Sequence, residues 1–194
     1  MPDLTEQIRA QLRESARVKE SFSDELVRRI AQFSDVAAKA IRAGGKVVFF
    51  GNGGSAADAQ HLAAELVVRL ERTRPGIPAL SLATNASILT AAGNDLGFEH
   101  VFSRQIESMV CEKDVLVALS TSGNSKNILR GAETGRARRA FIVGMTGATG
   151  GKLAKKLDLL LNVPSQNAQR IQEAHITIGH IVCALIEQNC FPAK

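Results

Sequence analysis

The sequence contains no tryptophan and no tyrosine among its 194 residues. A protein that holds nucleic-acid bases by stacking would therefore have to rely on phenylalanine or arginine. No segment approaches the roughly 18 apolar residues of a membrane-spanning helix, and charges stand near the amino terminus where a signal peptide needs an apolar run. We therefore expect a cytoplasmic protein with no membrane partner and no specialisation for nucleic acid.

Cysteine is also scarce. Cys111, Cys183 and Cys190 are odd in number and lack the spacing of metal or redox motifs, so a disulfide framework is not expected. This cysteine usage fits a reducing compartment. Apolar residues make up 45% of the chain and charged residues 22%, as in ordinary globular proteins, and the length suits a single domain over residues 1–194.

The charge is unevenly distributed. The formal net charge is +5, and basic residues are concentrated between Lys126 and Lys156, where acids are few. Such a surface can gather anionic partners, including nucleic acid or sugar phosphates. These residues also fall where helix surfaces and loops are expected, so a solvated face is the simpler interpretation.

Apolar residues at helical spacing predict two helices, or one long bent helix, before Gly44 and Gly45. The first, before Ser21, has only a thin apolar stripe, so we expect it to pack on another subunit or back on the domain. Farther along, short apolar runs alternate with helical patterns. The predicted strands are Lys46–Phe50, Ala79–Leu82, Val115–Leu119, Ala140–Gly144 and Leu157–Val163, and the predicted helices are Ala56–Arg69, Asn85–Ala92 closed by Gly93, Phe98–Val110, Lys126–Arg136 and Ala168–Cys190.

This alternation predicts an α/β fold with a doubly wound parallel sheet in residues 44–194 and an N-terminal helical extension in residues 1–43 that packs in the oligomer. Ligands of such sheets bind outside the carboxyl ends of the strands. The loops at residues 51–55 and 120–125 both follow strands at that edge. We therefore expect them to face one pocket.

The first loop begins with Gly51-Asn-Gly-Gly-Ser-Ala, which formally matches a dinucleotide-binding pattern. That function needs an acidic residue near the end of the second strand, but the strand continues into Ala83-Thr84-Asn85. No lysine of a nucleotide-hydrolysis loop follows either. The loop is better explained as backbone that a ligand can approach closely.

The second loop is rich in hydroxyls. Ser120, Thr121, Ser122 and Ser125 surround Gly123, directly before a predicted helix. Hydroxyls and backbone N–H groups at a helix N-terminus are suited to a phosphate dianion. The alternative is that Ser125 only caps its helix while the others form a turn. Four hydroxyl residues in six positions favour phosphate binding.

Two helices carry sparse polar faces. His61 and Glu65 lie one turn apart, and Gln172 and His180 share one side of an otherwise apolar helix. Either pair alone would be explained more simply by a core histidine and a surface polar group. Two such faces in one small domain are explained more simply by one shared chemical site than by two unrelated coincidences.

Together these segments resemble the sugar isomerase (SIS) domain family, and within it the phosphoheptose isomerases. The similarity covers nearly the whole chain. The serine-rich loop is shared by many sugar-phosphate binders, so the specificity lies in the combination of the two helices. The matching segments are GNGGSAADAQHLAAE from Gly51 to Glu65, Asn94-Asp95, STSGNS from Ser120 to Ser125, and Arg170-Ile-Gln-Glu-Ala-His175 continuing to His180.

The resemblance implies an isomerase that converts D-sedoheptulose 7-phosphate to D-glycero-D-manno-heptose 7-phosphate through an enediol. It implies a homotetramer with sites between subunits and a role in supplying heptose for lipopolysaccharide or another cell-surface polysaccharide. It also implies one zinc per subunit. The zinc ligands would be His61, Glu65, Gln172 and His180.

Proton transfer between neighbouring carbons needs a base, and we assign this role to Glu65 acting at C1, with His180 handling the oxygens or ring opening. Zinc would weaken Glu65 as a base, which leaves His180 as the alternative proton acceptor. Ser55 and the serine loop would hold the phosphate. The full set of expected substrate-binding residues is Asn52, Gly53, Gly54, Ser55, Glu65, Arg69, Asn94, Asp95, Ser120, Thr121, Ser122, Ser125 and Gln172.

Two other functions stay open at this point. The family includes a non-catalytic adaptor that binds the replication initiator protein, and the ending Asn189-Cys-Phe-Pro192 slightly resembles that branch. That branch lacks the glutamate that matches Glu65, which this chain retains. Isomerisation or deamination of an amino-sugar phosphate would keep the phosphate loop but need different groups around C2.

Overall fold

The computed structural model describes residues 3–192, so the predicted domain limits at residues 1 and 194 lie outside the described part. The strands are β1 Val47–Gly51, β2 Ala79–Ser81, β3 Val115–Ser120, β4 Phe141–Thr146 and β5 Leu159–Asn162. They form a five-stranded, fully parallel sheet in the order β2-β1-β3-β4-β5. This confirms the predicted doubly wound α/β fold.

Helices cover both faces of the sheet, which is why β1 and β3 are buried along their whole length. The helices are α1 Leu4–Glu20, α2 Asp24–Arg42, α3 Gly54–Val67, α4 Ala86–Asp95, α5 Ser103–Met109, α6 Lys126–Ala137 and α7 Ala168–Cys190, with 3-10 turns at Phe98–His100 and Gly151–Lys156. One apolar layer joins the sheet to α2, α3 and α7, and the other joins it to α4, α5 and α6.

The amino-terminal segment forms two separate helices. Helix α2 ends just before Gly44, which adopts a left-handed φ of +82° as a helix-terminating glycine does. Helix α1 has no buried residue, and its apolar stripe of Leu4, Ile8 and Leu12 is 62–72% exposed. This stripe is therefore an unpartnered apolar face within the described chain.

Two predicted helix boundaries are wrong. Gly93 does not close its helix, because α4 continues to Asp95 and the left-handed residue is Gly97, with φ +93°. The pattern from Phe98 to Val110 is not one helix but a 3-10 turn followed by α5. A glycine ends a helix through its backbone conformation, and residue type alone does not reveal which glycine takes that conformation.

The cysteines, the helix lengths and the basic stretch are the other subjects of expectations from composition. The three cysteines are free. Within residues 3–192, no helix is long and apolar enough to cross a membrane. The basic stretch lies largely on solvent-facing positions, and several of its members pair with carboxylates, among them Arg139 with Glu112 at 2.7 Å and Lys156 with Glu133 at 2.6 Å. This pairing supports the interpretation of a solvated face.

Candidate active site

The glycine loop and the serine loop leave neighbouring strands at the carboxyl edge of the sheet, because Gly51 of β1 is paired with Leu119 of β3. A reciprocal pair of amide hydrogen bonds, each 2.9 Å long, joins Asn52 of the glycine loop to Asn127 in the first turn of α6, just after the serine loop. The strand order reverses between β1 and β3, the place where doubly wound sheets bind ligands. The side-chain amide of Asn52 is thus hydrogen-bonded to Asn127. The predicted role of Asn52 in binding the substrate stays a prediction.

The serine loop is held in one conformation by its neighbours. The buried Ser120 hydroxyl accepts a hydrogen bond from Gly123 N–H at 3.2 Å. Gly123 has φ +64°, and a Cβ there would collide with the carbonyl of Gly150. Leu153 N–H donates to the Gly123 carbonyl at 3.0 Å. Only glycine fits this position, so the loop is preorganised.

Ser125 is the N-cap residue of α6, but its hydroxyl makes no capping hydrogen bond. The alternative of a cap and a turn is therefore wrong in its first half, the cap by Ser125. Its second half holds in part, since the Ser120 and Ser122 hydroxyls accept turn hydrogen bonds from Gly123 and Asn124 N–H. A hydroxyl that stands at a helix N-terminus without capping it is available to an anion, where the helix dipole also favours negative charge. The exposed Ser122 and the half-buried Thr121 lie in the same loop, whereas Ser55 is buried in the first turn of α3.

His61, Glu65 and His180 converge between α3 and α7. The two histidine Nε2 atoms lie 2.8 Å apart, and Glu65 Oε1 lies 3.2 Å from His61 Nε2. The ligand atoms of all three residues lie within 4.8 Å of one another. The two sparse polar faces therefore form one cluster.

This cluster fits a metal ion by its chemistry. Two imidazole nitrogens and one carboxylate oxygen are an ordinary zinc donor set. Ligand atoms about 2.1 Å from a tetrahedral zinc lie about 3.4 Å from one another. The observed separations of 2.8 and 3.2 Å are close to that spacing.

Gln172 lies at the start of the same interface. A Cβ added to Gly54 would lie 2.6 Å from Gln172 Nε2, so Gly54 admits this side chain against the first turn of α3. Farther along, a Cβ added to Gly179 would lie 2.5 Å from the buried Leu62 side chain. These two glycines allow α3 and α7 to approach closely enough for their polar side chains to meet.

Other predicted site residues lie outside this cluster of contacts. The exposed Asn94 and Asp95 end α4 and are hydrogen-bonded to each other at 2.7 Å. Arg69 follows α3, is exposed, and contacts the Thr73 hydroxyl at 3.3 Å. The role of these three residues in binding substrate stays a prediction.

Sequence reasoning missed Asp58, which lies one turn before His61 on α3. Burial raises the pKa of the Asp58 carboxyl to about 6, with His61 acting in the opposite direction. Its Oδ2 atom is buried without a hydrogen-bond partner. The spacing of Asp58, His61 and Glu65 at i, i+3 and i+7 was the available signal, because it places all three on one helix face.

His175 lies on α7, fully buried, with its Nε2 3.2 Å from the Thr146 carbonyl at the end of β4. Burial lowers the pKa of this imidazole from 6.5 to about 4, with the hydrogen bond to Thr146 opposing the shift. Between these values the unfolded chain binds a proton that the folded chain does not. The free energy of unfolding should therefore decrease as the pH falls from 6.5 toward 4, by up to about 3 kcal/mol.

Denaturant unfolding of metal-free protein at pH 7.0 to 4.5 measures this dependence. We expect a clearly shallower decline for His175→Gln than for the unmodified chain, because glutamine takes up no proton. His100→Gln, at a half-buried histidine outside α7, is the matched control and should keep the full slope. Equal slopes for all three proteins would show that His175 is not the group responsible.

Comparison with known proteins gives a consistent result. The SIS domain family model matches residues 12–147. The phosphoheptose isomerase of Aneurinibacillus thermoaerophilus is 47% identical over 193 residues, covering 98% of each chain, and that of Geobacter sulfurreducens is 48% identical over 189 residues, covering 97% of this chain and 100% of the relative.

The fold comparison agrees with the sequence comparison. The structure of the phosphoheptose isomerase of Neisseria gonorrhoeae has a TM-score of 0.90 at 41% identity and covers 96% of this chain and 100% of its own. That of Francisella tularensis has a TM-score of 0.92 at 34% identity, with 96% and 99% covered. The chain therefore belongs to the SIS domain family, and within it to the phosphoheptose isomerases.

Proposed function

We propose that the protein is an aldose–ketose isomerase that interconverts D-sedoheptulose 7-phosphate and D-glycero-D-manno-heptose 7-phosphate. The observation that carries this function is the convergence of Glu65 with His61 and His180 at the interface of α3 and α7. A base and a proton-carrying imidazole are the groups that carbonyl–enediol chemistry requires. The relatives at 47–48% identity are isomerases by name.

The reaction removes a proton from C1 of the ketose, forms an enediol, and returns a proton to C2. Glu65 takes the C1 proton, and His180 moves a proton between the two oxygens. The side chain of Glu65 is 19% exposed, so its carboxylate is within reach of substrate while largely shielded from water. If zinc stabilises the ionised form of Glu65, His180 is the alternative base.

The substrate phosphate is held by the serine loop. Ser120, Thr121, Ser122 and Ser125 supply hydroxyls, and the N-terminus of α6 supplies backbone N–H groups. Ser55 holds the phosphate together with this loop, and Gly53 and Gly54 bring backbone close to the sugar. Binding energy from the phosphate end then positions C1 and C2 at Glu65.

A metal ion belongs to the proposal. His61, Glu65 and His180 form a candidate metal site in the structure, and we assign it to zinc, with Gln172 as the fourth ligand. Bound zinc would supply polarisation of the substrate carbonyl oxygen. Glutamine is a weak zinc ligand, so the affinity rests mainly on the two histidines and the glutamate.

Elemental analysis of purified protein should find about one zinc per chain. His61→Gln should weaken zinc binding at least tenfold in a competition titration with a chromogenic chelator, because it removes an imidazole donor. His100→Gln, a histidine outside the cluster, should bind zinc as tightly as the unmodified chain. Full activity in protein shown to be metal-free would remove zinc from the account.

A homotetramer with sites between subunits is the proposed assembly. The support is the exposed apolar stripe of α1, formed by Leu4, Ile8 and Leu12, which a neighbouring subunit would cover. Light scattering should give about four times the chain mass. Ile8→Glu should lower that mass, whereas Gln7→Glu, at an exposed position beside the stripe, should not. An unchanged mass for Ile8→Glu would exclude the stripe from the interface.

We place the reaction in the cytoplasm, in keeping with the free cysteines, and assign its product to heptose synthesis for a cell-surface polysaccharide. The adaptor alternative gains no support from the comparisons, and Glu65 is retained in the cluster. Incubation with sedoheptulose 7-phosphate, followed by NMR of the anomeric protons, separates the two functions. An isomerase produces the aldose signals, and a non-catalytic adaptor leaves the ketose unchanged.

A further inference from the structure

An ion pair lies buried beyond the candidate active site. The side chains of Arg74 and Glu187 are 2% and 1% exposed, and Arg74 Nη2 lies 2.6 Å from Glu187 Oε1. Arg74 follows α3 in a loop, whereas Glu187 belongs to the last two turns of α7. The pair therefore joins the segment after one site helix to the body of the other.

Every nitrogen of the Arg74 guanidinium donates at least one hydrogen bond. Nε donates to Glu187 Oε1 at 2.8 Å, and Nη2 donates to the Glu65 carbonyl at 2.9 Å. Nη1 donates to the carbonyls of Leu66 and Pro75 at 2.7 and 3.1 Å. Glu65 and Leu66 belong to the last turn of α3, whose carbonyls have no partner within the helix. Arg74 thus caps α3 at the backbone of Glu65.

Glu187 is equally well satisfied. Its carboxylate accepts the backbone N–H groups of Leu70, Glu71 and Arg72 at 2.9 to 3.1 Å, in addition to Arg74. Burial would raise the pKa of Glu187, but these hydrogen bonds outweigh it and lower the pKa. The carboxylate is therefore ionised at neutral pH and keeps the loop fixed to α7.

The Arg74–Glu187 pair lies on the same side of α7 as the candidate active site. Glu187 follows His180 by seven residues, two turns along α7 on the same side. The two helices also approach each other closely at Leu62 and Gly179, beside the histidines, and at Gly54 and Gln172, at the start of α3. The Arg74–Glu187 pair adds a contact at the far end of α3, where it holds the backbone of Glu65 itself.

We propose that Arg74 is a positioning residue, an inference that rests on the proposed isomerase function. Together with Glu187, Arg74 fixes the end of α3 at Glu65 against α7. The pair thereby sets the distance between the Glu65 and His180 side chains. Arginine is required, because lysine has a single nitrogen and cannot reach the two helix carbonyls and the carboxylate together. Misplacement of a reacting group by about 1 Å costs on the order of a hundredfold in rate.

The test compares Arg74→Lys and Glu187→Gln with Asp114→Asn. Asp114 is also a buried carboxylate, 1% exposed, that accepts backbone N–H groups of Lys46 and Cys111 and pairs with the Lys46 ammonium. It lies at the opposite, amino edge of the sheet. All three substitutions break a buried charge network, so each is expected to lower stability in denaturant unfolding.

We expect kcat to fall about 10- to 100-fold in Arg74→Lys and Glu187→Gln, with KM changed less than about threefold, and Asp114→Asn to keep kcat within about twofold. In a Glu65→Gln background, Arg74→Lys should cause no further loss, because it acts through Glu65. The inference is overturned if Asp114→Asn loses as much kcat, or if the Arg74→Lys loss persists in that background.

Amide hydrogen exchange provides a readout that needs no substrate. Residues 62–67 of α3 should exchange faster in Glu187→Gln than in Asp114→Asn, and equal exchange would contradict the inference. If the unmodified chain converts no heptose phosphate, the proposed function fails, and the positioning role in this chain is then decided by exchange alone.

Discussion

Sedoheptulose that lacks the 7-phosphate is expected to be converted with a kcat/KM about 10³- to 10⁵-fold lower than the phosphorylated sugar. The serine loop offers hydroxyls and backbone donors to a dianion, and each hydrogen bond to a charged group contributes about 1.5–3 kcal/mol. Three such bonds sum to about 4.5–9 kcal/mol. Each 1.4 kcal/mol is a factor of ten, so the expected loss corresponds to about 4–7 kcal/mol, in the lower part of that range. Part of the loss should appear in kcat, because phosphate binding positions the reacting carbons.

Two variants test whether the serine loop is the reason for the slower conversion of the unphosphorylated sugar. Ser125→Ala should lower kcat/KM for the phosphorylated sugar about tenfold and leave the unphosphorylated sugar unaffected, because the Ser125 hydroxyl makes no capping bond that its loss would break. Ser108→Ala, an exposed serine on α5, is the control and should change neither. Equal losses on both sugars in Ser125→Ala would contradict phosphate binding by this loop.

The Glu65→Gln variant is expected to lose about 10³-fold in kcat with KM changed by no more than a few fold. Removal of a general base costs roughly 10²- to 10⁴-fold, and glutamine preserves the shape of the side chain without accepting a proton. Steady-state assays on folded, zinc-loaded protein measure this loss. Glu107→Gln, at an exposed glutamate paired with Arg104, should keep full activity.

The same assays decide between the two candidate bases. If Glu65 takes the C1 proton, Glu65→Gln should be slower than His180→Gln, because proton movement between the oxygens has alternative routes through water. If His180 takes it, the order reverses. A Glu65→Gln variant that retains more than a tenth of the original kcat would exclude Glu65 as the base.

Much of the fold could be predicted because its strands are buried on both faces. Val115–Leu119 is uninterrupted apolar sequence for this reason, and the structure places it at the centre of the sheet. The metal cluster was also predictable in part, since helical spacing alone places His61 and Glu65 on one face. The presence of a second sparse polar face on the last helix predicted that His180 belongs to the same site, and the family resemblance added the expectation of zinc.

What the sequence does not reveal depends on contacts between distant residues. The Asn52–Asn127 pair spans 75 positions and the Arg74–Glu187 contact spans 113. No local period marks either pair. Likewise, the left-handed backbone conformation that follows α4 occurs at Gly97 and not at Gly93, and the surrounding packing determines which glycine adopts it.

The exchange of the C1 proton of sedoheptulose 7-phosphate into deuterated water tests the account most directly, because it reports proton abstraction whatever the later steps. The unmodified protein should place deuterium at C1 of the recovered ketose and at C2 of the aldose product. Glu65→Gln should reduce the rate of C1 exchange about 10³-fold. Exchange at the unmodified rate in Glu65→Gln would contradict the central claim that this carboxylate is the base.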